Sequence, residues 1–389
     1  MKRSVGDPNP VRALQRFGQS VWLDDLRRNL FTSGTFARLI AEDGLRGVTS
    51  NPSILEKAIV GSADYTAAIR QFARSGSMQA LELYEALAIR DIRTAADLLR
   101  PLYDDTKRAD GYASIEVSPF IAHNTTATID EARRLRRAVD RENVMIKVPA
   151  SDEGLPAIRQ LTSEGINVNI TLLFSAERYE EVARAYIDGL SAFVDGGGDP
   201  TRVNSVASMF VSRVDTLVDE AIGARIDKIT DSATRTALTS LMGQAAIANA
   251  KFAYQRFHEL CRTPEWQTLS AKGSHAQRLL WASTSTKNSR YRDVRYVEEL
   301  IGPETVTTLT LSTMEAFRQH GRTRSSLEEQ LDAANQVLET LERVDISLAD
   351  IAARLLDDGL SKFGESLHRL LAALDRIIAA SREKARSRA

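Results

Sequence analysis

One apolar run of the sequence reads Val144-Met145-Ile146-Lys147-Val148-Pro149 and contains a single lysine. A run this apolar predicts a buried strand, where an unpaired ammonium is costly. Burial favours the neutral amine, which is a nucleophile. The lysine could instead extend to solvent from the strand end, or pair with an acid. Taken alone, the run favours this second interpretation, because structural ion pairs also perturb lysines.

Seven further β-rich runs alternate with amphipathic segments along the 389-residue chain. Alternation of strands and helices predicts a parallel sheet, and eight repeats predict an α/β fold of the closed (β/α)8 TIM barrel type. The predicted strands are residues 20–24, 47–50, 112–117, 144–148, 167–171, 203–208, 279–283 and 306–311.

The chain is longer than a minimal barrel requires, but no linker divides it, so we predict one barrel domain over residues 1–389. We expect helical insertions at about 54–110 and 214–274 and a helical C-terminal segment at about 322–389. Ser325 and Glu328 have the spacing of a capping box that begins this segment. The last helix carries an apolar stripe that predicts packing against the barrel, with a partner helix as the alternative. The stripe comprises Leu360, Phe363, Leu367, Leu370, Leu371, Leu374, Ile377 and Ile378.

Composition excludes several classes of protein. The chain is 43% hydrophobic and 26% charged with a formal net charge of −1, and no basic run interleaves with aromatic residues, so nucleic acid is not an expected partner. No apolar stretch reaches 18 residues, which argues against a membrane span. The N-terminus has no signal-peptide core and Cys261 is the only cysteine, so we expect a cytoplasmic protein. The sequence does not indicate an oligomeric state.

Metal and cofactor chemistry have no sequence support. The five histidines have no ligand spacing, and no P-loop, dinucleotide-binding glycine motif or HExxH motif is present. We therefore expect neither a metal nor a cofactor.

Polar residues occur where seven of the predicted strands end, which is difficult to explain as packing because each would need a buried partner. Catalytic groups of such barrels come from the C-terminal ends of several strands. A neutral Lys147 could attack a ketone and form an iminium, while two carboxylates, Asp24 and Glu116, move protons. The polar residues at these ends are Asp24, Thr49, Asn51, Glu116, Lys147, Asn169, Thr171, Ser208 and Ser283.

Both carboxylates have an alternative role. Asp24 could cap the helix that follows its strand. Glu116 could be no more than the ion-pair partner of Lys147, which is compatible with catalysis but does not establish it.

Five motifs, in order along the chain, make the sequence resemble the transaldolase family, specifically its longer bacterial form. The resemblance covers about residues 20–380. The motifs are Gly47-Val48-Thr49-Ser50-Asn51-Pro52-Ser53, the run 144–149, and the segments 165–175, 206–215 and 281–288.

This resemblance implies a class I aldolase barrel that binds sugar phosphates. The implied reaction transfers a dihydroxyacetone unit from sedoheptulose 7-phosphate to glyceraldehyde 3-phosphate in the pentose phosphate pathway. Its products are erythrose 4-phosphate and fructose 6-phosphate. It also implies that the last helix lies near the mouth of the pocket.

The resemblance also implies roles for individual residues. Lys147 matches the Schiff-base lysine, Asp24 the acid/base at the C4 hydroxyl, and Glu116 with Thr171 the pair that holds a catalytic water. The implied substrate-binding residues are Thr49, Asn51, Asn169, Ser208, Phe210, Arg213, Ser285 and Lys287. Lys287 departs from the arginine of shorter relatives, so its charge lacks a bidentate fork. Ser283 is an alternative to Ser285 at the phosphate site.

Two other functions remain open from the sequence. A fructose 6-phosphate aldolase-like lyase would share the lysine and the aspartate but release free dihydroxyacetone. A non-catalytic barrel that binds sugar phosphates would not need an amine nucleophile, and the set Asp24, Glu116 and Lys147 argues against it.

Overall fold

Eight parallel strands form a closed barrel in which each strand pairs with its neighbour in sequence and β8 pairs with β1. The computed structural model describes residues 9–60, 62–74 and 79–386, without the side chains of 73–74 and 381–386. The strands are β1 Gln19–Asp24, β2 Leu45–Thr49, β3 Tyr112–Glu116, β4 Val144–Pro149, β5 Val168–Leu173, β6 Ser205–Phe210, β7 Arg278–Ala282 and β8 Thr305–Leu309. The predicted (β/α)8 barrel is confirmed, and every predicted strand end lies within two residues of the observed one.

Helices follow the strands and cover the barrel. Those before β4 are α1 Pro10–Ala13, α2 Arg28–Thr32, α3 Thr35–Arg38, α4 Pro52–Val60, α5 Thr66–Arg74, α6 Ala80–Asp105 and α7 Thr125–Val139. Those up to β7 are α8 Gly154–Ser163, α9 Ala176–Asp195, α10 Ser212–Ile226, α11 Ser232–Leu241, α12 Ala245–Cys261 and α13 Pro264–Ala271. The remainder are α14 Arg295–Glu299, α15 Leu311–His320, α16 Leu331–Arg343 and α17 Leu348–Arg386.

Helices α4 to α6 lie where the first insertion was expected, and α10 to α13 where the second was expected. The division into a single domain over 1–389 remains a prediction, and residues 1–8 and 387–389 of it lie outside the described chain. The predicted capping box at Ser325 and Glu328 is wrong, because α16 begins only at Leu331. Backbone hydrogen bonds from Ser326 and Leu327 to the Ile301 carbonyl hold the preceding segment in a turn instead.

The C-terminal helix α17 packs across the barrel against α4, α5 and α6. Its predicted apolar stripe is buried apart from Leu371, which is partly buried, and Ile377, which is exposed. The stripe therefore serves mainly as packing within the chain. Among the described helices, none combines the length and apolar character that crossing a bilayer requires.

The amino-terminal end of the barrel is closed by a paired polar cluster. Asp110 receives Arg278 and Arg46 at 3.0 Å each and a hydrogen bond from Ser20 at 2.8 Å. Each charged side chain in this cluster therefore has a partner of opposite charge, which is how buried charged groups are normally tolerated.

Gly47 in β2 provides a test of barrel packing, because a Cβ atom there would lie 2.4 Å from the fully buried ring of Trp22. Gly47→Ala should lower the free energy of unfolding by about 1–3 kcal/mol, since the ring cannot move away without strain. Denaturant unfolding measures the change. In the matched control, Gly223→Ala in α10, the added atom meets nothing within 4 Å. The control should be neutral or stabilising by about 0.5–1 kcal/mol, and equal behaviour of the two variants would contradict the packing described.

Candidate active site

A cavity of about 760 Å³ opens at the carboxyl-terminal end of the barrel. This is the end at which barrels of this kind carry their functional residues. Ten of the twelve residues proposed from the sequence line it. They are Asp24, Thr49, Asn51, Lys147, Thr171, Ser208, Phe210, Arg213, Ser285 and Lys287.

Lys147 lies in β4 with only 5% of its surface exposed. Its Nζ donates a hydrogen bond to the Ser50 carbonyl at 3.0 Å and lies 3.1 Å from Glu116 Oε2. The alternative that the lysine pairs with an acid is therefore correct. The same side chain also lines the cavity, so pairing and access to a ligand coexist at this position.

Glu116 does not line the cavity but lies beside Lys147 in the barrel wall, where the two residues are partners in the β3–β4 register. Paired residues on neighbouring parallel strands point to the same side of the sheet, which explains their contact. Burial raises the pKa of Glu116, although the charge of Lys147 opposes the shift. The carboxylate is therefore disposed to take a proton.

Asp24 ends β1 and faces the cavity, where its Oδ1 accepts a hydrogen bond from Thr49 Oγ1 at 3.1 Å. Burial raises its pKa, and the positive charges of Lys147 and Arg213 oppose the shift. The alternative that Asp24 caps the next helix is wrong, because α2 begins at Arg28 and has no side-chain cap.

Asn169 lies behind the cavity in a hydrogen-bonded row with residues of the neighbouring strands. Its Nδ2 donates to Ser114 Oγ at 3.1 Å, and its Oδ1 accepts from Ser208 Oγ at 2.7 Å. The residue is fully buried and is the register partner of Lys147. Asn169 therefore fixes the orientation of the Ser208 hydroxyl, which reaches the cavity.

A local irregularity in β5 accompanies Thr171. The pairing of β5 with β6 shifts register between Ile170 and Leu173, and Leu172 has a φ of 54°. Such a conformation is rare for a leucine and marks local strain. Thr171 lines the cavity, and its buried Oγ1 has no hydrogen-bond partner among the described residues.

Two cationic side chains proposed from the sequence face the cavity without a carboxylate partner in the described part of the chain. Arg213 lies over the Phe210 ring at 5.1 Å from its centroid, and it forms no salt bridge with a described residue. Lys287 is likewise unpaired within the described chain. Although Lys287 is exposed overall, partial desolvation lowers its pKa, and the positive charge of Arg213 adds to the effect. The absence of a salt bridge to a described residue at Arg213 and at Lys287 favours an anionic ligand.

The choice between Ser283 and Ser285 is not decided by position, since both line the cavity. Ser285 Oγ lies 3.0 Å from Thr313 Oγ1, and Ser283 Oγ lies 3.1 Å from Ser212 Oγ.

Sequence reasoning missed several lining residues. Phe363 of α17, predicted only as part of the packing stripe, also lines the cavity, so the last helix lies beside the cavity. Lys57 of α4 and Arg27 add charge that the strand-end pattern could not reveal, because neither residue lies on a strand. Lys57 does follow Asn51 by only six residues, and this closeness to a predicted site residue could have suggested that the lysine lies near the cavity.

Comparison with known proteins gives a consistent result. The family model described as Transaldolase/Fructose-6-phosphate aldolase matches residues 21–374. The chain is 45% identical to a transaldolase of Trichodesmium erythraeum over 94% of this chain and 97% of the relative. It is 45% identical to a transaldolase of Thiobacillus denitrificans over 94% of this chain and 99% of the relative.

A TIM barrel that buries a lysine beside a carboxylate, next to a cationic cavity, defines the class of lysine-dependent aldolase-type enzymes. Within that class, the chain belongs to the transaldolase/fructose-6-phosphate aldolase family.

The raised pKa of Asp24 predicts a pH-dependent cost in stability. A buried acid with a raised pKa stabilises the fold below its unfolded pKa of about 3.9, and this stabilisation is lost as the pH rises. Asp24→Asn keeps an acceptor for Thr49 but removes the charge. It should raise the melting temperature at pH 7, and the gain should shrink toward pH 4.

Asp199 is the matched control because two hydrogen bonds from Thr201, through its hydroxyl and its backbone N–H, lower the pKa of its carboxyl. Stability from a lowered pKa is present at neutral pH and is lost as the pH falls, so Asp199→Asn should lose stability at pH 7 and less at pH 4. Asp24→Asn melting below the wild type at pH 7 would contradict the electrostatics described.

Proposed function

We propose that the protein is a transaldolase that moves a dihydroxyacetone unit from sedoheptulose 7-phosphate to glyceraldehyde 3-phosphate. The observation that carries the proposal is the buried Nζ of Lys147, which lies 3.1 Å from Glu116 and faces the cavity that Asp24 lines. Family membership and relatives named transaldolase support the same reaction. The setting is the pentose phosphate pathway, and we propose a cytoplasmic location for this single-domain enzyme.

The reaction begins when Glu116 takes a proton from Lys147, which the raised pKa of the carboxyl favours. The neutral amine attacks C2 of the ketose, and loss of water gives an iminium. Asp24 removes the proton of the C4 hydroxyl, so the C3–C4 bond breaks. Its electrons move into the iminium and form an enamine, while erythrose 4-phosphate leaves as an aldehyde.

The second half of the reaction reverses these steps on a new aldehyde. The enamine attacks the carbonyl carbon of glyceraldehyde 3-phosphate, and Asp24 returns the proton to the new hydroxyl. Water then hydrolyses the iminium and releases fructose 6-phosphate. Glu116 and Thr171 hold that water in this proposal, which would give the buried Thr171 Oγ1 a partner.

Different residues of the cavity bind the hydroxyls and the phosphate of the substrate. Hydroxyls of the transferred unit interact with Asn51 and with Ser208, whose hydroxyl Asn169 orients from behind the cavity, while Thr49 keeps Asp24 in position. The phosphate interacts with Arg213, Lys287 and Ser285, and the Phe210 ring supports the guanidinium. Neither a metal nor a cofactor takes part in these steps.

Lys147 can be tested by trapping the covalent intermediate. Borohydride added with fructose 6-phosphate should leave a reduced adduct on Lys147, and Lys147→Met should abolish both the adduct and turnover, by about a thousandfold or more. Lys251→Met is the matched control, because Lys251 is also buried but lies outside this cavity. Mass spectrometry of the intact protein measures the adduct. Persistence of the adduct in Lys147→Met, or its loss in Lys251→Met, would overturn the assignment.

Transfer can be separated from simple cleavage by omitting the acceptor. With fructose 6-phosphate alone, the enamine should persist and free dihydroxyacetone should remain near the background level, whereas added erythrose 4-phosphate should start continuous turnover. Chromatography of the products measures both. Steady accumulation of dihydroxyacetone without an acceptor would assign the lyase function instead.

A further inference from the structure

Five cationic side chains line the cavity, and they differ in whether they are neutralised. Lys147 has Glu116 at 3.1 Å, and Arg27 forms a salt bridge with Asp25. The other three cations form no hydrogen bond or salt bridge with a described residue. They are Lys57, Arg213 and Lys287.

Lys57 belongs to the face of α4 that the cavity exposes. The residues of this helix that line the cavity are Ser53, Ile54, Lys57 and Ala58. Residues separated by three or four positions share one side of a helix, so Lys57 lies one turn after Ser53 on the same face of α4. The lysine is thus part of the cavity wall and not only of the outer surface.

The acid next to Lys57 in sequence is occupied elsewhere. Glu56 accepts two hydrogen bonds from Arg369 of α17, at 2.7 and 3.0 Å. This pairing lowers the pKa of Glu56 and keeps the carboxylate ionised toward α17. Lys57 therefore retains an uncompensated charge at the cavity.

The base of this lysine is fixed in position. Asn51 Oδ1 accepts a hydrogen bond from the Ile54 backbone N–H at 2.9 Å at the start of α4, and Ser53 Oγ lies 2.8 Å from Ser366 Oγ of α17. The backbone that carries Lys57 is therefore already ordered, and ligand binding has to fix only the lysine side chain.

The three unpaired cations act on one another. Burial, then the charge of Arg213, lowers the pKa of Lys287; the charge of Asp24 opposes the shift, and the charge of Lys57 makes a smaller contribution in the lowering direction. Unpaired lysines on a protein surface are ordinary, but three cations without a salt bridge to a described residue around one cavity exceed the charge that Asp24 offsets, and this excess favours an anionic ligand.

We propose that Lys57 is a third cation of the phosphate site, where it binds the substrate phosphate together with Arg213 and Lys287 and sets the preference for phosphorylated sugars. This inference rests on the proposed function. The ammonium of Lys287 lacks the bidentate N–H fork of an arginine, so a second ammonium from Lys57 supplies further N–H donors to the phosphate oxygens.

The kinetic test compares phosphorylated with unphosphorylated substrates. With glyceraldehyde as an unphosphorylated acceptor, Lys57→Gln should raise KM for fructose 6-phosphate about fivefold with little change in kcat, because the contact persists from ground state to transition state. The kinetics with fructose should not change, and Lys57→Arg should restore the wild-type KM. The matched control is Lys272→Gln, which removes an exposed lysine outside the cavity.

Calorimetric titration with inorganic phosphate tests the site without turnover. Lys57→Gln should weaken phosphate binding by a factor similar to the change in KM and should reduce its dependence on salt, whereas Lys272→Gln should bind as the wild type does. Equal phosphate affinity in wild type and Lys57→Gln would overturn the inference, as would an equal rise of KM for fructose. A wild type that binds phosphate through Lys57 but fails to convert sugar phosphates would instead overturn the proposed function.

Discussion

The contact of Lys147 with Glu116 and Ser50 is the constraint on which the rest of the site depends. Nζ of Lys147 lies 3.1 Å from Oε2 of Glu116 in a buried wall, where burial raises the pKa of Glu116, so this carboxylate is the base within reach of the amine. The hydrogen bond from Lys147 Nζ to the Ser50 carbonyl, in the residue after β2, holds the lysine side chain at a second position. Closure of the barrel buries all three residues near the cavity, which Phe363 of α17 also lines.

The two ends of the barrel differ in whether their charged side chains form salt bridges. At the amino-terminal end, Arg46 and Arg278 both form salt bridges with Asp110, so each charge has a partner. At the carboxyl-terminal end, Arg213 and Lys287 have no carboxylate within salt-bridge distance among the described residues. Polar residues alone do not distinguish a structural cluster from a binding site. Cations without a salt bridge do distinguish them, because repulsion between like charges does not stabilise a fold, whereas it favours binding of an anion.

Much of the fold could be predicted because each strand is a short β-rich run between helical segments, and the barrel follows from eight repeats. The site could be predicted in outline because strand ends that carry Asp24, Glu116 and Lys147 must meet at one end. The irregularity at Leu172 could not be predicted, since leucine has no preference for positive φ. Lys57 was missed because it lies on a helix, and the start of α16 was missed because contacts with Ile301 override a local capping signal.

The most direct measurement is a crystal structure of the protein trapped at low temperature after exposure to fructose 6-phosphate. The account predicts continuous electron density between Nζ of Lys147 and C2 of the sugar, with the hydrogen bond to the Ser50 carbonyl broken. An intact ketose in the cavity beside an unmodified Lys147, or a covalent bond to Lys57 or Lys287, would contradict it.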